Sequence, residues 1–541
     1  MVQQNGIPLY KADHLDFAPR AGVAWDVTGK GTTVLRAGMG ISYDTPQIDD
    51  LVAASFGAGL NTTPTGFALY NNSGLVFPGS TNPQAVRTGV PSIPGPALNW
   101  AVNVPVFPAT LSSDLACGTG NLAITTPGGT TPSPCTLKAR GTVVRLPNGQ
   151  LSMNTDNARS PLYTWTLGIQ HAFGASTSLT VNYVGTHTYN LPSEINVNQA
   201  ALGAAAGGLP GAAPGTVDGP LQQRQPYFNQ FPWFNGIFVY GPAGFSNYNA
   251  LQVTLVQRNF HGLTLNAAYT FSRDLATNKS GNNPYITNSQ CVSCDYGLFT
   301  PTQDLGITLV YSLPGIKSPG EVLEGWQISS AVNVQSGGPF RGLDSSHDFA
   351  GVNDNRGLLG GTSEPWSIYG KASNFKFGGL NPLPCFGFFG CNPTLPAACI
   401  SAANAEPVNA AMNAQIPGSS SGLASLMSTG CYMSANGKSV IIPPAQGTFG
   451  NMKTGELLGP GFHEWDLSVH KAFKVHERLG LEFSISAFNV LNSHPYALGF
   501  TGGIVNVPFL FGVSGGQPND PNPVNGTGGA REMQLGLKAT F

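Results

Sequence analysis

Apolar and polar residues alternate with a period of two in segment after segment of this chain. Leu263, Leu265, Ala267, Tyr269 and Phe271 fall on one face of an extended strand, opposite Thr264, Asn266, Thr270 and Ser272. Leu305, Ile307, Leu309, Tyr311 and Leu313 oppose Gly306, Thr308 and Ser312, and Leu479, Leu481, Phe483, Ile485 and Ala487 oppose Gly480, Glu482, Ser484 and Ser486. Such alternation is the signature of strands with unlike solvents on their two faces. It predicts strands at 17–27, 33–43, 162–173, 177–186, 248–258, 262–273, 303–313, 324–336, 462–473, 478–491 and 531–541. Most have the roughly 9–11 residues that a tilted membrane-crossing strand requires.

The last segment is the most telling. Met533, Leu535, Leu537, Ala539 and Phe541 share one face, Gln534, Gly536, Lys538 and Thr540 the other, and the sequence given stops on the aromatic. Termini in water usually fray, whereas the closing strand of an outer-membrane barrel puts apolar groups into lipid and an aromatic at the interface. Met533, Leu535, Leu537 and Phe541 are therefore read as a C-terminal strand and assembly signal.

Connection lengths carry the topology. Segments 28–32, 174–176, 259–261, 314–323 and 474–477 are short; 44–161, 187–247, 274–302, 337–461 and 492–530 are long. Short and long alternate throughout, so in an antiparallel meander every tight turn lies at one end and every long loop at the other. An outer-membrane barrel has short periplasmic turns and long extracellular loops. A soluble sandwich shares the strand alternation, but structureless loops this long along one of its edges would be unusual. The fold expected is all-β: an antiparallel up-and-down transmembrane β-barrel, partial, of about eleven strands.

Composition agrees. Charged residues are 10% of the 541, against about a quarter in ordinary soluble domains. With 41% hydrophobic residues the chain is no polar disordered segment, and 70 Gly with 43 Pro disfavour a helical architecture. No window holds the roughly 18 apolar residues of a spanning helix. A net charge of −2 without a Lys/Arg cluster argues against a nucleic-acid partner. Met1-Val2-Gln3-Gln4 leads into neither a basic nor an apolar signal region. The expectation is a fragment of a longer exported protein.

Several blocks carry a family resemblance. Residues 17–44 read FAPRAGVAWDVTGKGTTVLRAGMGISYD, and 160–186 read SPLYTWTLGIQHAFGASTSLTVNYVGT. Residues 246–274 read SNYNALQVTLVQRNFHGLTLNAAYTFSRD, and 325–340 GWQISSAVNVQSGGPF. GPGFHEWDLSVHKAF follows at 459–473, FNVLNSHP at 488–495 and REMQLGLKATF at 531–541. In this order they resemble the barrels of Oar-like TonB-dependent transporters, abundant in acidobacteria. The resemblance implies a larger barrel of about 22 strands in the outer membrane of a Gram-negative bacterium. It also implies import of an unidentified substrate, and partners in outer-membrane lipid, the barrel assembly machinery and the TonB energising complex, which acts through a plug. No plug, N-terminal region or first strands are found here, so residues 1–541 are expected to be the C-terminal part of that barrel domain. The alternative is a passive porin-like channel or a loop-presenting adhesin.

All eight cysteines, Cys117, Cys135, Cys291, Cys294, Cys385, Cys391, Cys399 and Cys431, fall in predicted long loops. An even number confined to extracellular loops points to disulfides formed in an oxidising compartment. Sequence-local pairing gives Cys117–Cys135, Cys291–Cys294, Cys385–Cys391 and Cys399–Cys431, although connectivity does not follow from sequence. Cys291-Val-Ser-Cys294 has thioredoxin-like spacing, but no βαβ unit surrounds it.

Catalytic patterns occur without their context, and neither enzymatic chemistry nor a cofactor is expected. Gly418-Ser-Ser420-Ser-Gly422 and Gly512-Val-Ser514-Gly-Gly516 match a nucleophile elbow but sit in Gly/Ser-rich loop rather than between strand and helix. Gly437-Lys438-Ser439 ends like a phosphate loop, with Tyr432 where the first Gly belongs. Asp344, Asp348 and Asp354 lack the spacing of a calcium site. His463 and His470 read as lumen or interface groups. One run, PYFNQFPWFNGIFVYGPAGF at 226–245, concentrates Tyr227, Phe228, Phe231, Trp233, Phe234, Phe238, Tyr240 and Phe245 with no charged side chain. It is either an aromatic platform for a sugar ring or apolar substrate, or an aromatic girdle with a loop folded into the barrel mouth.

Overall fold

The computed structural model describes residues 16–44, 150–153, 160–203, 224–226, 237–277, 286–315, 317–319, 322–340, 343–344, 348–352, 364–376, 383–387, 390–459, 461–476, 479–493 and 531–541. Eleven strands form one continuous antiparallel meander. They are β1 (Arg20–Asp26), β2 (Thr33–Asp44), β3 (Ser160–Phe173), β4 (Thr177–Asn196), β5 (Ile237–Phe260), β6 (Leu263–Ala276), β7 (Gln303–Ser312), β8 (Trp326–Gln335), β9 (Phe462–His476), β10 (Leu479–Phe488) and β11 (Glu532–Thr540). Each strand expected from the alternation is present. Two short strands join the sheet from its flanks, 150–153 beside β5 and 297–298 beside β6.

The cross-strand register sorts the faces. Trp25, Leu35, Ile169, Val181, Val253, Tyr269, Leu305 and Val334 stand side by side from β1 to β8. Leu263, Tyr311, Ile328, Val469, Ile485 and Leu535 continue that face from β6 to β11. One residue along, the opposite face carries Ala24, Arg36, Gly168, Asn182, Gln252, Thr270, Asp304 and Gln335. A sheet apolar on one side and polar on the other divides lipid from a wet lumen. On β3, Tyr163 to Phe173 spans roughly 34 Å of strand, or about 26 Å of height at a tilt near 40°, which matches the apolar band of a barrel.

At the tight-turn end the backbone requires glycine at one position in particular. Gly262 closes the β5–β6 hairpin at φ +85°, and a Cβ there would lie 2.3 Å from the Ser312 carbonyl oxygen. The neighbouring Asn259 and His261 also adopt positive φ, so the ladder slips between Gln257 and Phe260.

β4 and β5 contain 20 and 24 residues, about twice what a membrane crossing needs. They pair as far as Asn196 opposite Phe238. Residues 187–196 and 237–247, expected as loop, are therefore sheet. The period-two pattern fails there because the register shifts around Leu191 while Asn190 takes φ 58°, and backbone pairing resumes beyond an irregularity that scrambles side-chain facing.

The 337–461 connection also departs from expectation, being folded rather than structureless. A neck formed by Pro339–Phe340 against Leu457–Leu458 leads into a four-stranded sheet of Ser367–Tyr369, Val440–Ile442, Cys431–Met433 and Cys385–Phe386. Three short helices follow: α1 (Ala397–Asn404), α2 (Ala410–Gln415) and α3 (Gly422–Thr429). Asn409 caps α2 by accepting from Met412 N at 3.1 Å, and Ser421 caps α3 by accepting from Ala424 N. Phe349, Trp366, Ile368, Tyr432, Ile441 and Leu457 make its main apolar core. The principal hydrophobic clusters of the described residues thus lie in this cap, because the wall spends its apolar face on lipid.

Among the described residues, nothing pairs with the outer edge of β1 or of β11. The barrel is not closed.

Candidate functional site

At the long-loop end, three connections gather around the outer end of β4. The Gln199 amide bridges to the β6–β7 loop, donating from Nε2 to Thr287 O and accepting at Oε1 from Ser289 N, each at 2.8 Å. Asn196 N donates to Ser289 Oγ at 3.1 Å, and Thr287 N donates to the buried Asp295 carboxylate at 2.5 Å. Arg224 donates to Ala201 O and, at 2.9 Å, to Gly351 O of the cap. Gly203 N reaches Ala350 O and Leu298 N reaches Thr454 O, both at 3.0 Å. Buried polar groups need such partners, and here the partners come from different loops. The β4–β5, β6–β7 and β8–β9 connections are consequently held as one cluster.

Between the β6–β7 loop and the cap lies a cavity of about 210 Å³, lined by Thr287, Asn288, Asp295, Phe449, Asn451 and Lys453 among others. Its lining is mixed: an anion, a cation and amides beside Phe449 and Met452. Spacing alone did not disclose it, since its two walls are about 160 residues apart.

The cysteines of the described residues are all bonded: Cys291–Cys294, Cys385–Cys391 and Cys399–Cys431. The first follows the Asn288 turn and opens the short helical turn Val292–Asp295 that aims Asp295 at Thr287. The last ties α1 to the small sheet within the second apolar cluster. Cys117 and Cys135 lie outside the described residues.

Of the aromatic run, Tyr227, Phe228, Phe231, Trp233 and Phe234 also lie outside the described residues. The backbone of Phe238 and Tyr240 belongs to β5, between β4 and strand 150–153. Phe245 stacks on Tyr296 with centroids 5.0 Å apart, and Asn247 Nδ2 donates to the Tyr296 hydroxyl at 3.0 Å. Met533, Leu535 and Leu537 stand exposed along the apolar face of β11, and Phe541 is 99% exposed beyond it.

The remaining motif residues have structural partners. Ser420 is 1% exposed; its hydroxyl donates to Gln446 O at 2.6 Å and accepts from Asn409 N at 2.7 Å. Ser439 Oγ accepts from Lys371 N and Asn374 Nδ2 at 2.9 and 2.7 Å. Asp348 accepts from Val352 N at 2.9 Å, closing a turn. Asp344 lies in a short strand, and Asp354, Gly512, Ser514 and Gly516 lie outside the described residues. His470 meets Glu482 at 3.2 Å on the polar face of the wall, while His463 pairs with Val334 on the apolar face, toward the long-loop end.

Burial also shapes the cap's chemistry. Glu406 is 6% exposed, and neither oxygen of its carboxyl has a hydrogen-bond partner within the geometric limits among the described residues; burial pushes that carboxyl above the ordinary range. Burial likewise raises the Tyr369 phenol, with Glu406 adding to the effect.

A family model described as outer membrane beta barrel domain matches residues 2–534. Among solved structures, the outer membrane transporter YddB from Escherichia coli aligns at 8% identity over 97% of this chain and 40% of that one, with a TM-score of 0.36. The ferric enterobactin receptor PfeA from Pseudomonas aeruginosa aligns at 8% over 97% and 40%, with a TM-score of 0.35. The ferric citrate transporter FecA aligns at 9% over 97% and 38%, with a TM-score of 0.31. The chain spans about 40% of the length of these structures. A search of curated proteins returned no match.

Proposed function

Because this chain belongs to the outer membrane beta-barrel domain family and resides in the outer membrane, we propose that residues 1–541 are the C-terminal wall and outer loops of an Oar-like TonB-dependent transporter. The observation that carries this reading is the strict alternation of tight turns with long connections. Supporting it are the ordered blocks from 17–44 to 531–541 and the gathering of three long loops into one interlocked cluster. In a barrel those connections face the medium, where they meet the substrate.

In this reading the chain performs no catalysis. It supplies the wall and the outer contact surface, while the energising complex acts on a plug supplied by other sequence. The aromatic run from Tyr227 to Phe245 serves as girdle and mouth, the disulfides hold the outer loops, and β11 is the strand presented to the assembly machinery. Outer-membrane lipid covers the apolar face.

The test is to translate the genomic DNA upstream of the Met1 codon and to delete the energising complex. A plug and export signal in the same frame, with loss of solute uptake in the deletion strain, is the expected result. An upstream stop codon with energy-independent permeation would establish a passive pore instead.

A further inference from the structure

We propose that the lipid side of β3 to β6, at its long-loop end, is a binding site for the phosphorylated sugar headgroup of an outer-leaflet glycolipid. Arg273 takes the phosphate, Asn249 a sugar hydroxyl and Trp165 the apolar face of a sugar ring. The inference rests on membership of the barrel family and not on the transporter reading.

One row of residues across four strands is the basis. Trp165 of β3 stands opposite Gly185 of β4, Gly185 opposite Asn249 of β5, and Asn249 opposite Arg273 of β6. All four share the face that carries Ile169, Val181, Val253 and Tyr269, the face turned to lipid. An arginine on that face is costly at the middle of the bilayer and tolerated near its boundary. Arg273 sits at the boundary: Leu263 to Arg273 spans roughly 34 Å of strand, or about 26 Å of height at a tilt near 40°, the full height of an apolar band. The protein itself leaves this charge unmatched. Among the described residues Arg273 has no carboxylate partner, and Asp274, the next residue along, belongs to the lumen face. A guanidinium at headgroup depth is suited to phosphate, because its planar fork meets two oxygens at once.

The neighbours of Arg273 specify a sugar. The Tyr183 hydroxyl donates to Asn249 Oδ1 at 2.6 Å, which orients the exposed Asn249 amide and leaves its Nδ2 donors for a ligand oxygen. One residue pair further out, His187 Nδ1 lies 2.8 Å from Asn247 Oδ1, and Asn247 Nδ2 donates to Tyr296 of the β6–β7 loop. A loop thus borders the site on the side of the medium. Gly185 makes the ring platform. A Cβ there would lie 2.2 Å from Trp165 Nε1 and 2.3 Å from Cε2, so the indole lies across bare backbone, and Trp165 remains 37% exposed. An aromatic face packs against the apolar side of a sugar while amide and guanidinium take its oxygens. The row from Trp165 to Arg273 covers three strand spacings, roughly 14 Å, wide enough for two sugar rings. A girdle of rings alone would need neither Arg273 nor Asn249, and a phospholipid without sugar would leave Asn249 and Trp165 unused.

The experiment titrates the whole protein, extracted folded from its native outer membrane into detergent, and reads lipid adducts by native mass spectrometry. The probes are a bisphosphorylated glucosamine-disaccharide lipid, its dephosphorylated form and phosphatidylglycerol, with inorganic phosphate as competitor. The expected result is a preference of about tenfold or more for the bisphosphorylated glycolipid over each other lipid. R273Q should erase the preference for the phosphorylated form, and W165A the preference over phosphatidylglycerol. R258Q, which removes an exposed cation at the tight-turn end, should change neither. Wild-type preference retained in R273Q or in W165A would overturn the proposal, as would equal binding of phosphatidylglycerol to the wild type. Displacement by inorganic phosphate at millimolar concentration would overturn it in favour of a free-anion site. Should either variant fail to show heat-modifiable mobility, N249A carries the test: affinity for the bisphosphorylated glycolipid should fall severalfold, and an unchanged affinity would overturn the assignment.

Discussion

The ammonium of Lys471 lies 4.2 Å from the ring centroid of Phe473, two residues further along β9 on the same face. Lys471 is only 5% exposed, although that face is the apolar one. Its Nζ also donates to the carbonyls of Glu324 and Ala472 and sits 5.7 Å from the Trp326 ring. A long side chain near the membrane boundary can thus bury its stem in apolar surroundings while its charge finds carbonyls and aromatic faces at the tight-turn end.

Replacing that lysine separates charge from packing. K471R should keep the wall within ~1 kcal/mol, because guanidinium also binds carbonyls and stacks on rings. K471E should cost about 2 kcal/mol or more by setting a carboxylate against two carbonyls. Urea unfolding of the membrane-inserted protein, followed by heat-modifiable gel mobility, measures both. Equal behaviour of the two variants would refute the assignment.

The cap should be more stable in mild acid than in base. The folded cap holds the Glu406 proton more tightly than the unfolded chain does, since burial raises that carboxyl from its ordinary 4.5. The resulting stability is fully present below the unfolded value and is lost as pH rises through the folded one. The melting temperature of the cap should fall as pH rises above the ordinary carboxyl value of 4.5, and E406Q should flatten the profile. An unchanged slope in E406Q would assign the dependence elsewhere.

Removing Cys399–Cys431 should cost the cap more than removing Cys385–Cys391. The sequence separations are 32 and 6 residues, and loop-closure entropy predicts roughly 3.7 against 2.4 kcal/mol. Resistance of C399S/C431S and C385S/C391S to limited trypsin digestion in intact cells gives the order; the reverse order would contradict it.

Gly262→Ala should destabilise the wall by about 1–3 kcal/mol, because the new methyl meets Ser312 O. Gly174→Ala, at φ +66° with open space around it, carries only the left-handed backbone penalty of about 1–2 kcal/mol. Urea midpoints should therefore rank wild type, Gly174→Ala, Gly262→Ala.

Sidedness is testable directly. Ala435→Cys in the cap should react with a membrane-impermeant maleimide on intact cells, and Ala175→Cys in the β3–β4 turn should react only after the outer membrane is opened. Labelling of both alike would contradict the barrel orientation.

The sequence by itself determined the eleven strands and the facing of most of their residues. A strand in a membrane wall meets lipid on one side and water on the other, so its alternation is written locally; Leu263 to Phe271 needs no distant partner to be read. Tertiary structure alone decided the rest. Phe349, Trp366, Tyr432 and Leu457 meet in one core from positions up to 108 residues apart without any period. Gln199 finds Thr287, and Arg224 finds Gly351, only because three loops emerge side by side from neighbouring strands. Such contacts depend on which strand ends are adjacent in space, a property of the assembled sheet that no local pattern encodes.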